Sequence, residues 1–326
     1  MRKYLKNKSA VNYVKIVLCS TIKHFTMTTD LEPKLIEIFF NADNFCKEFS
    51  TIGVQNKKTI GSKKHRNRSG KLTLSEIITI LIFYQLYGAE DFKHFYLNTL
   101  MRHYKKDFPD LVSYARFVRL IPRALMPMLL FLKCTRMGKT SGISFIDSTA
   151  LKVCHNKRIF HHKVFDSLAQ RGKTTMGWFF GFKLHLIIND QGELLSFHLS
   201  GGNVSDSNKN LVLKLTKGLW GKLFGDKGYI SHPLVNLLLE KSIHLITGIR
   251  NNMKNKLMEM ADKILLRKRA IIECVNDELK NNCQVEHTRH RSVINFLVHV
   301  FSALTAYTFL PKKPALRFNT QFLMAV

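Results

Sequence analysis

The chain has 326 residues, and its 51 Lys and Arg outnumber 23 Asp and Glu, giving a formal charge of +28 and a pI near 10.0. Hydrophobic residues make up 45%, enough for a folded core, so a disordered basic protein is excluded; the length suits about two domains. Such a positive excess in a folding chain points to a polyanion, nucleic acid before an anionic membrane surface.

Residues 1–26 carry six positive charges and no acid. They read as a dispensable basic extension, or the product of an upstream start codon. Their apolar stretch is broken by Lys15 and has no clear small-residue cleavage site, so no export is expected. From about 31 to 135 the pattern is helical, and 27–137 is expected to form a helical DNA-binding region. Within it, 57–71 holds seven positive charges and no acid. Lys63, Lys64, Arg66 and Arg68 are therefore candidates for phosphate contact, the plain alternative being a solvated loop. Ser75–Tyr87 reads as a buried helix stopped by Gly88 and capped by Thr73 or Ser75.

After Gly138 the texture changes to short β-type runs, and 138–310 is expected to form a second unit. Ile143–Thr149 reads as a strand ending near Asp147. Phe180–Ile188 and Leu195–Leu199 alternate around the turn Asn189–Gly192, the signature of an antiparallel hairpin. A helix from about Ser207, a strand Lys222–Gly225, a helix from Pro233, a strand His244–Ile249 and long helices beyond 256 follow. That order implies an α/β fold: a mixed sheet with flanking helices. Val293–Leu310 is apolar enough to suggest a membrane span. Asn295, His299, Ser302 and Thr305, however, form a stripe on one helical face, so an amphipathic helix packed on the sheet is expected instead. The remainder, 311–326, reads as a tail. Six cysteines make no C-x-x-C pair, which suits reduced thiols in a cytoplasm. The segment from Cys154–His155 to His161–His162 offers zinc-type ligands but no second cluster, so an ordinary basic loop is expected there.

Three acids stand out. Asp147 follows the apolar Phe145-Ile146, where a carboxylate is costly unless paired, hydrogen-bonded or metal-bound. Asp226 repeats the pattern after Leu223-Phe224-Gly225. On the later helix, at ~100° per residue, Glu273 lies ~40° and Lys280 ~20° from Arg269, so the three share a face with Asn276. The bland alternative is an Arg269–Glu273 i,i+4 surface pair. Glu278 and Glu286 fall on other faces. Carboxylates in a basic chain suit Mg²⁺, which takes oxygen ligands, and two such ions can drive phosphodiester chemistry while Lys and Arg hold DNA.

These residues resemble a known family. Ile-Asp147-Ser-Thr, Gly202-Asn203-Val204-Ser205-Asp206, Gly225-Asp226-Lys227-Gly228-Tyr229 and Arg269-x3-Glu273-x6-Lys280 occur in the order of DDE-type bacterial insertion-sequence transposases. The likeness runs from about Gly142 to Phe309. It implies a ribonuclease-H-like catalytic core, metal ligation by Asp147, Asp226 and Glu273, and phosphate contacts by Arg269 and Lys280. It also implies two Mg²⁺ ions (Mn²⁺ able to substitute), double-stranded DNA with inverted-repeat ends as partner, and a homodimer on that DNA. The family's tyrosine three residues before the arginine is Leu266 here. Fewer than 50 residues separate Asp226 from Glu273, too few for the large β insertion of some relatives. Arg289 and Arg291, in the cluster His287–Ser292, are further phosphate candidates. Asp206 is expected to serve a turn and N-cap, the alternative being that it assists the site. Trp178 and Trp220 are expected to pack in the core, the alternative being that they stack on a flipped base. The competing readings are a ribonuclease-H-like nuclease without strand transfer and an inactive DNA-binding relic.

Overall fold

The computed structural model describes residues 31–51, 70–89, 91–175, 177–249, 253, 257–286 and 290–316. The basic extension 1–26, the candidates Lys63, Lys64, Arg66, Arg68 and Arg289, and the tail beyond 316 lie outside the described residues.

The chain is α/β, a helical front half followed by a six-stranded mixed sheet with helices on it. Helix α1 spans 31–51 and α2 spans Leu74–Tyr87. Thr73 caps α2 in a capping box with Glu76, and Gly88 closes it in the left-handed conformation at φ 72°. Helix α2 is buried on nearly every side, as expected of a helix that is apolar all round. Helical turns at 92–103 (α3) and 114–136 (α4) complete the front.

The strands are β1 (Ile143–Cys154), β2 (Gln170–Thr174), β3 (Gly177–Asn189), β4 (Leu194–Gly201), β5 (Gly221–Gly225) and β6 (Ile243–Thr247). Strand β1 pairs antiparallel with β3, which pairs antiparallel with both β2 and β4; β5 joins β1 and β6 in parallel. An antiparallel β1–β3–β4 meander followed by two parallel strands is the ribonuclease-H-like order that the sequence implied. Strand β2, which carries little apolar sequence, was not legible. It adds to β3 beyond the end of β4.

Strand parity sorts the core. Phe145 and Phe224 face the large cluster shared with the front helices. Ile146 and Leu223 face the opposite side, against α5 (Lys209–Leu215) and α6 (His232–Leu239). The first face is covered by α7 (Met260–Lys268), α8 (Ala270–Asp277) and α9 (Val293–Thr308).

Helix α9 packs on the sheet as expected, Phe296 stacking on Phe182, but its polar stripe is not a solvent face. His299, Ser302 and Thr305 are buried, and the stripe faces α2 as well as the core. Gln85 Nε2 donates to His299 Nδ1 at 2.9 Å and to Ser302 Oγ at 3.0 Å. The polar positions thus join two helices that hydropathy alone could not pair. Among the described residues no helix is long and apolar enough to cross a membrane.

Candidate active site

Asp147 lies inside β1, not at its end as expected, because β1 runs on to Cys154. What ends there is its partner: the β1–β5 ladder stops at Phe145–Phe224. Continuing that register by two residues sets Asp147 beside Asp226, both on the face covered by α8. The Asp226 side chain accepts the Gly228 N–H at 2.8 Å, and a Cβ on Gly228 would come within 2.9 Å of that carboxylate. Glycine there keeps the carboxylate's flank clear. Gly225 lets the Tyr229 ring pack close, since its own Cβ would meet that ring at 3.2 Å.

Helix α8 buries Ile271, Ile272 and Val275 against the sheet, which brings Asn276 over β1. Asn276 Nδ2 donates to Asp147 Oδ2 at 3.0 Å. Burial pushes the Asp147 carboxyl up to about 6, and the negative charges of Asp226 and Glu273 add to the rise. The Ser148 backbone hydrogen bond and the Arg269 charge oppose it. Asp147 therefore feels the charge of both other acids, though only the aspartates are adjacent in register. Arg269 Nη2 donates to Glu273 Oε1 at 2.6 Å, so Glu273 is drawn along its own helix and its side chain is 55% exposed.

Lys280 lies beyond α8 in a π-helical turn, Glu278–Asn282, which breaks the 100° spacing assumed for it. Its Nζ is 3.1 Å from Glu286, an acid expected on another face. Arg291 is exposed and its charge is felt by Tyr114 of α4, at the front of the chain. Both tryptophans are exposed, Trp178 by 63% and Trp220 by 54%, contrary to the expected core packing.

Two features were not anticipated. Asp206 is no N-cap: Asn208 caps α5, while Asp206 accepts from Ser148 Oγ at 2.7 Å and from Lys183 Nζ at 3.2 Å. His185 Nδ1 lies 3.9 Å from the same carboxylate, and burial holds this histidine down to about 4, neutral at physiological pH. Tyr229 is buried with its hydroxyl unpartnered among the described residues, and burial together with Asp206, Asp147 and Asp226 raises its pKa. The Gly202–Asp206 and Asp226–Tyr229 motifs marked both residues, but their convergence depends on cross-strand register.

Asp147 and Asp226 fit a hard divalent cation: neighbouring carboxylates in a partly desolvated place, one of them carrying a raised pKa that a cation would offset. Among the described residues no three His, Cys, Asp or Glu side chains converge closely enough to hold an ion. Glu273 would have to leave Arg269 to join the pair.

Residues 137–293 match the family model described as a transposase DDE domain, a span that holds Asp147, Asp226 and Glu273. No curated protein matches the chain. Among solved structures, the cryo-EM structure of a piggyBac transposase synaptic complex with hairpin DNA is similar over 84% of this chain and 72% of that one, with TM-score 0.46 and 12% identity. With the sheet order above, the family match identifies residues 137–293 as a transposase DDE domain.

Proposed function

We propose that the chain cleaves the ends of its own insertion sequence and joins the freed 3′-hydroxyls to target DNA, without a covalent protein–DNA intermediate. The observation that carries this is the juxtaposition of Asp147 and Asp226 past the end of β5, beneath the helix that bears Glu273, in a chain of charge +28. The family implies divalent-metal dependence, and carboxylate oxygens favour Mg²⁺, with Mn²⁺ as substitute. When bound, such ions polarise phosphoryl oxygens and lower the pKa of an attacking water or hydroxyl.

The chain's own groups do the rest. Asp147 and Asp226, in ionised form, would hold the cations, and Asn276 fixes the Asp147 carboxylate through one oxygen. Arg269 exchanges Glu273 for a DNA phosphate, which frees the acid to complete the ligand set. Lys280 exchanges Glu286 in the same way. The bidentate geometry of Arg269 suits a phosphate beside the scissile bond. Arg289 and Arg291, with Lys63, Lys64, Arg66 and Arg68, hold DNA further away through charge alone. The working form is a homodimer on two inverted-repeat ends, in a bacterial cytoplasm.

Asp147→Ala, Asp226→Ala and Glu273→Ala should each abolish Mg²⁺-dependent cleavage of an end-containing duplex, while leaving duplex affinity within about threefold of wild type. Most affinity resides in Lys and Arg contacts with phosphates. Full cleavage by Glu273→Ala would remove it from the ligand set and direct attention to Glu278 or Glu286. Cleavage without joined product, with target DNA present, would favour a nuclease over a transposase.

A further inference from the structure

About 23 Å along β1 from Asp147, at ~3.3 Å per residue, the sheet carries a second feature with a different chemistry. Beyond the end of β4, strands β2 and β3 form a hairpin whose outer face is aromatic and basic. Trp178 pairs across it with Lys173, whose ammonium lies 5.8 Å from the indole centre. Beside it, in the short 3₁₀ helix Asn156–His161, Phe160 is 86% exposed with the Arg171 guanidinium 5.5 Å from its ring. Asn156 Nδ2 donates to the Trp178 carbonyl at 2.8 Å and ties that segment to the hairpin. Between them lies a cleft of ≈ 300 Å³ lined by Asn156, Ile159, Arg171, Trp178 and Phe179. Over residues 152–173 six Lys and Arg accompany a single acid, Asp166.

Neither aromatic ring is needed by the fold. The inner-face neighbour Phe179 is buried and sits against Gly172, where a Cβ would come within 2.6 Å of its ring. Trp178 points the other way. Exposed aromatic faces interleaved with cations are the composition that binds unpaired nucleic acid: bases stack on rings while phosphates meet Lys and Arg. A paired duplex offers phosphates and groove edges but keeps its base faces covered. The cleft is at the small end of the range for ligand pockets and suits one base rather than a helix.

We propose that Trp178 and Phe160 form a stacking platform for an unpaired base of single-stranded or locally opened DNA, held by Arg171 and Lys173. The site is distinct from the acid cluster. As a role in transposition it rests on the function proposed above, but its binding chemistry does not.

The chain has two tryptophans, so Trp220→Phe leaves Trp178 as the single reporter. In that variant, titration with a single-stranded oligothymidylate should quench the emission, and a fully paired duplex of equal length should quench it far less. Binding is followed in parallel by anisotropy of labelled DNA. Trp178→Ala should weaken single-strand affinity about fivefold to a hundredfold, as expected for one lost stacking contact, and Trp178→Phe should recover most of it. Unchanged Trp178 emission in a saturated single-strand complex would overturn the proposal. So would full single-strand affinity in Trp178→Ala with circular dichroism like wild type. If the patch instead served a second copy of the chain, emission would change with protein concentration without DNA and Trp178→Ala would lower the oligomeric state; that result also overturns it. Adding Asp147→Asn to the reporter separates the two sites. Quenching that persists in Asp147→Asn shows that the platform does not depend on the acid cluster. Single-strand quenching by a chain with Asp147 intact that cleaves no end-containing duplex keeps the platform and counts only against the transposase reading.

Discussion

Asp147 shows what a single buried carboxylate costs and what it is good for. Its folded-state pKa near 6 lies above the ordinary value of 3.8, so the folded chain holds this proton more tightly than the unfolded one. The stability that the proton brings is fully present below about pH 3.8 and is lost as pH rises through about 6. At pH 7.5 in a chelator, the ionised Asp147 opposes folding, by up to about 3 kcal/mol at ~1.36 kcal/mol per pH unit. Asp147→Asn should therefore raise the midpoint of thermal unfolding at pH 7.5 without metal and lose that advantage near pH 4. Millimolar Mg²⁺ should stabilise wild type more than the variant, reversing part of the order. An equal or lower midpoint for Asp147→Asn at pH 7.5 would show that Asn276 and the Ser148 N–H already stabilise the charge in full. The aspartates were legible because a carboxylate beside an apolar run is expensive, and Asn276 because it shares a helical face with Glu273. The Asp206–Ser148–Lys183 contacts and the orphaned Tyr229 hydroxyl were not, since they form only when three strands settle their register.

At the scale of elements, the junction between the front helices and the sheet domain is polar in a way that hydropathy hides. Gln85 of α2 reaches His299 and Ser302 of α9; His299 Nε2 in turn contacts the Gln284 carbonyl at 3.0 Å, and Gln284 Nε2 donates to the Gly88 carbonyl at 2.8 Å. The end of α2, the turn after Lys280 and the middle of α9 are thus joined by one hydrogen-bonded chain. With Nδ1 accepting from Gln85, the His299 proton sits on Nε2, aimed at Gln284. Gln85→Leu keeps the volume but leaves these partners buried without their donor, a loss of about 1–3 kcal/mol. The urea midpoint should fall while the slope stays constant, because the surface exposed on unfolding is unchanged. A changed slope would mean that the front helices no longer unfold together with the sheet. Periodicity placed α2, α9 and the β3–β4 hairpin correctly. It failed for β2, which is too polar to announce itself, and it left open what covers the polar stripe of α9, which reads as a solvent face until another helix is known to lie on it. The two tryptophans were misplaced for a related reason: hydrophobicity favours burial, yet Trp178 sits on the outward parity of an extended hairpin.

Across the whole molecule, the arrangement separates a small acidic centre from a basic remainder. Asp147, Asp226 and Glu273 lie together in the family-matched half, whereas the longest run of positive charge, 57–71, lies in the helical front half. The two regions should therefore contribute differently to a DNA complex. Contacts made by charge alone release counterions, and the logarithm of affinity falls with the logarithm of salt by about 0.9 for each phosphate neutralised. Neutralising Lys63, Lys64, Arg66 and Arg68 together removes up to four such contacts, so the slope should become shallower by about three to four. Single-turnover cleavage at saturating protein should stay near the wild-type rate. Arg269→Ala and Lys280→Ala should do the reverse: each removes one contact at most, so the slope changes by about one, while cleavage falls at least about tenfold because the scissile phosphate loses its alignment. Affinity measured from 50 to 300 mM NaCl, beside the cleavage rate, distinguishes the two classes. An unchanged slope in the fourfold variant would make 57–71 a solvated connection and leave the remaining Lys and Arg to hold the DNA. A wild-type cleavage rate in Lys280→Ala would mean that its pairing with Glu286 persists on DNA and that Arg269 alone aligns the phosphate.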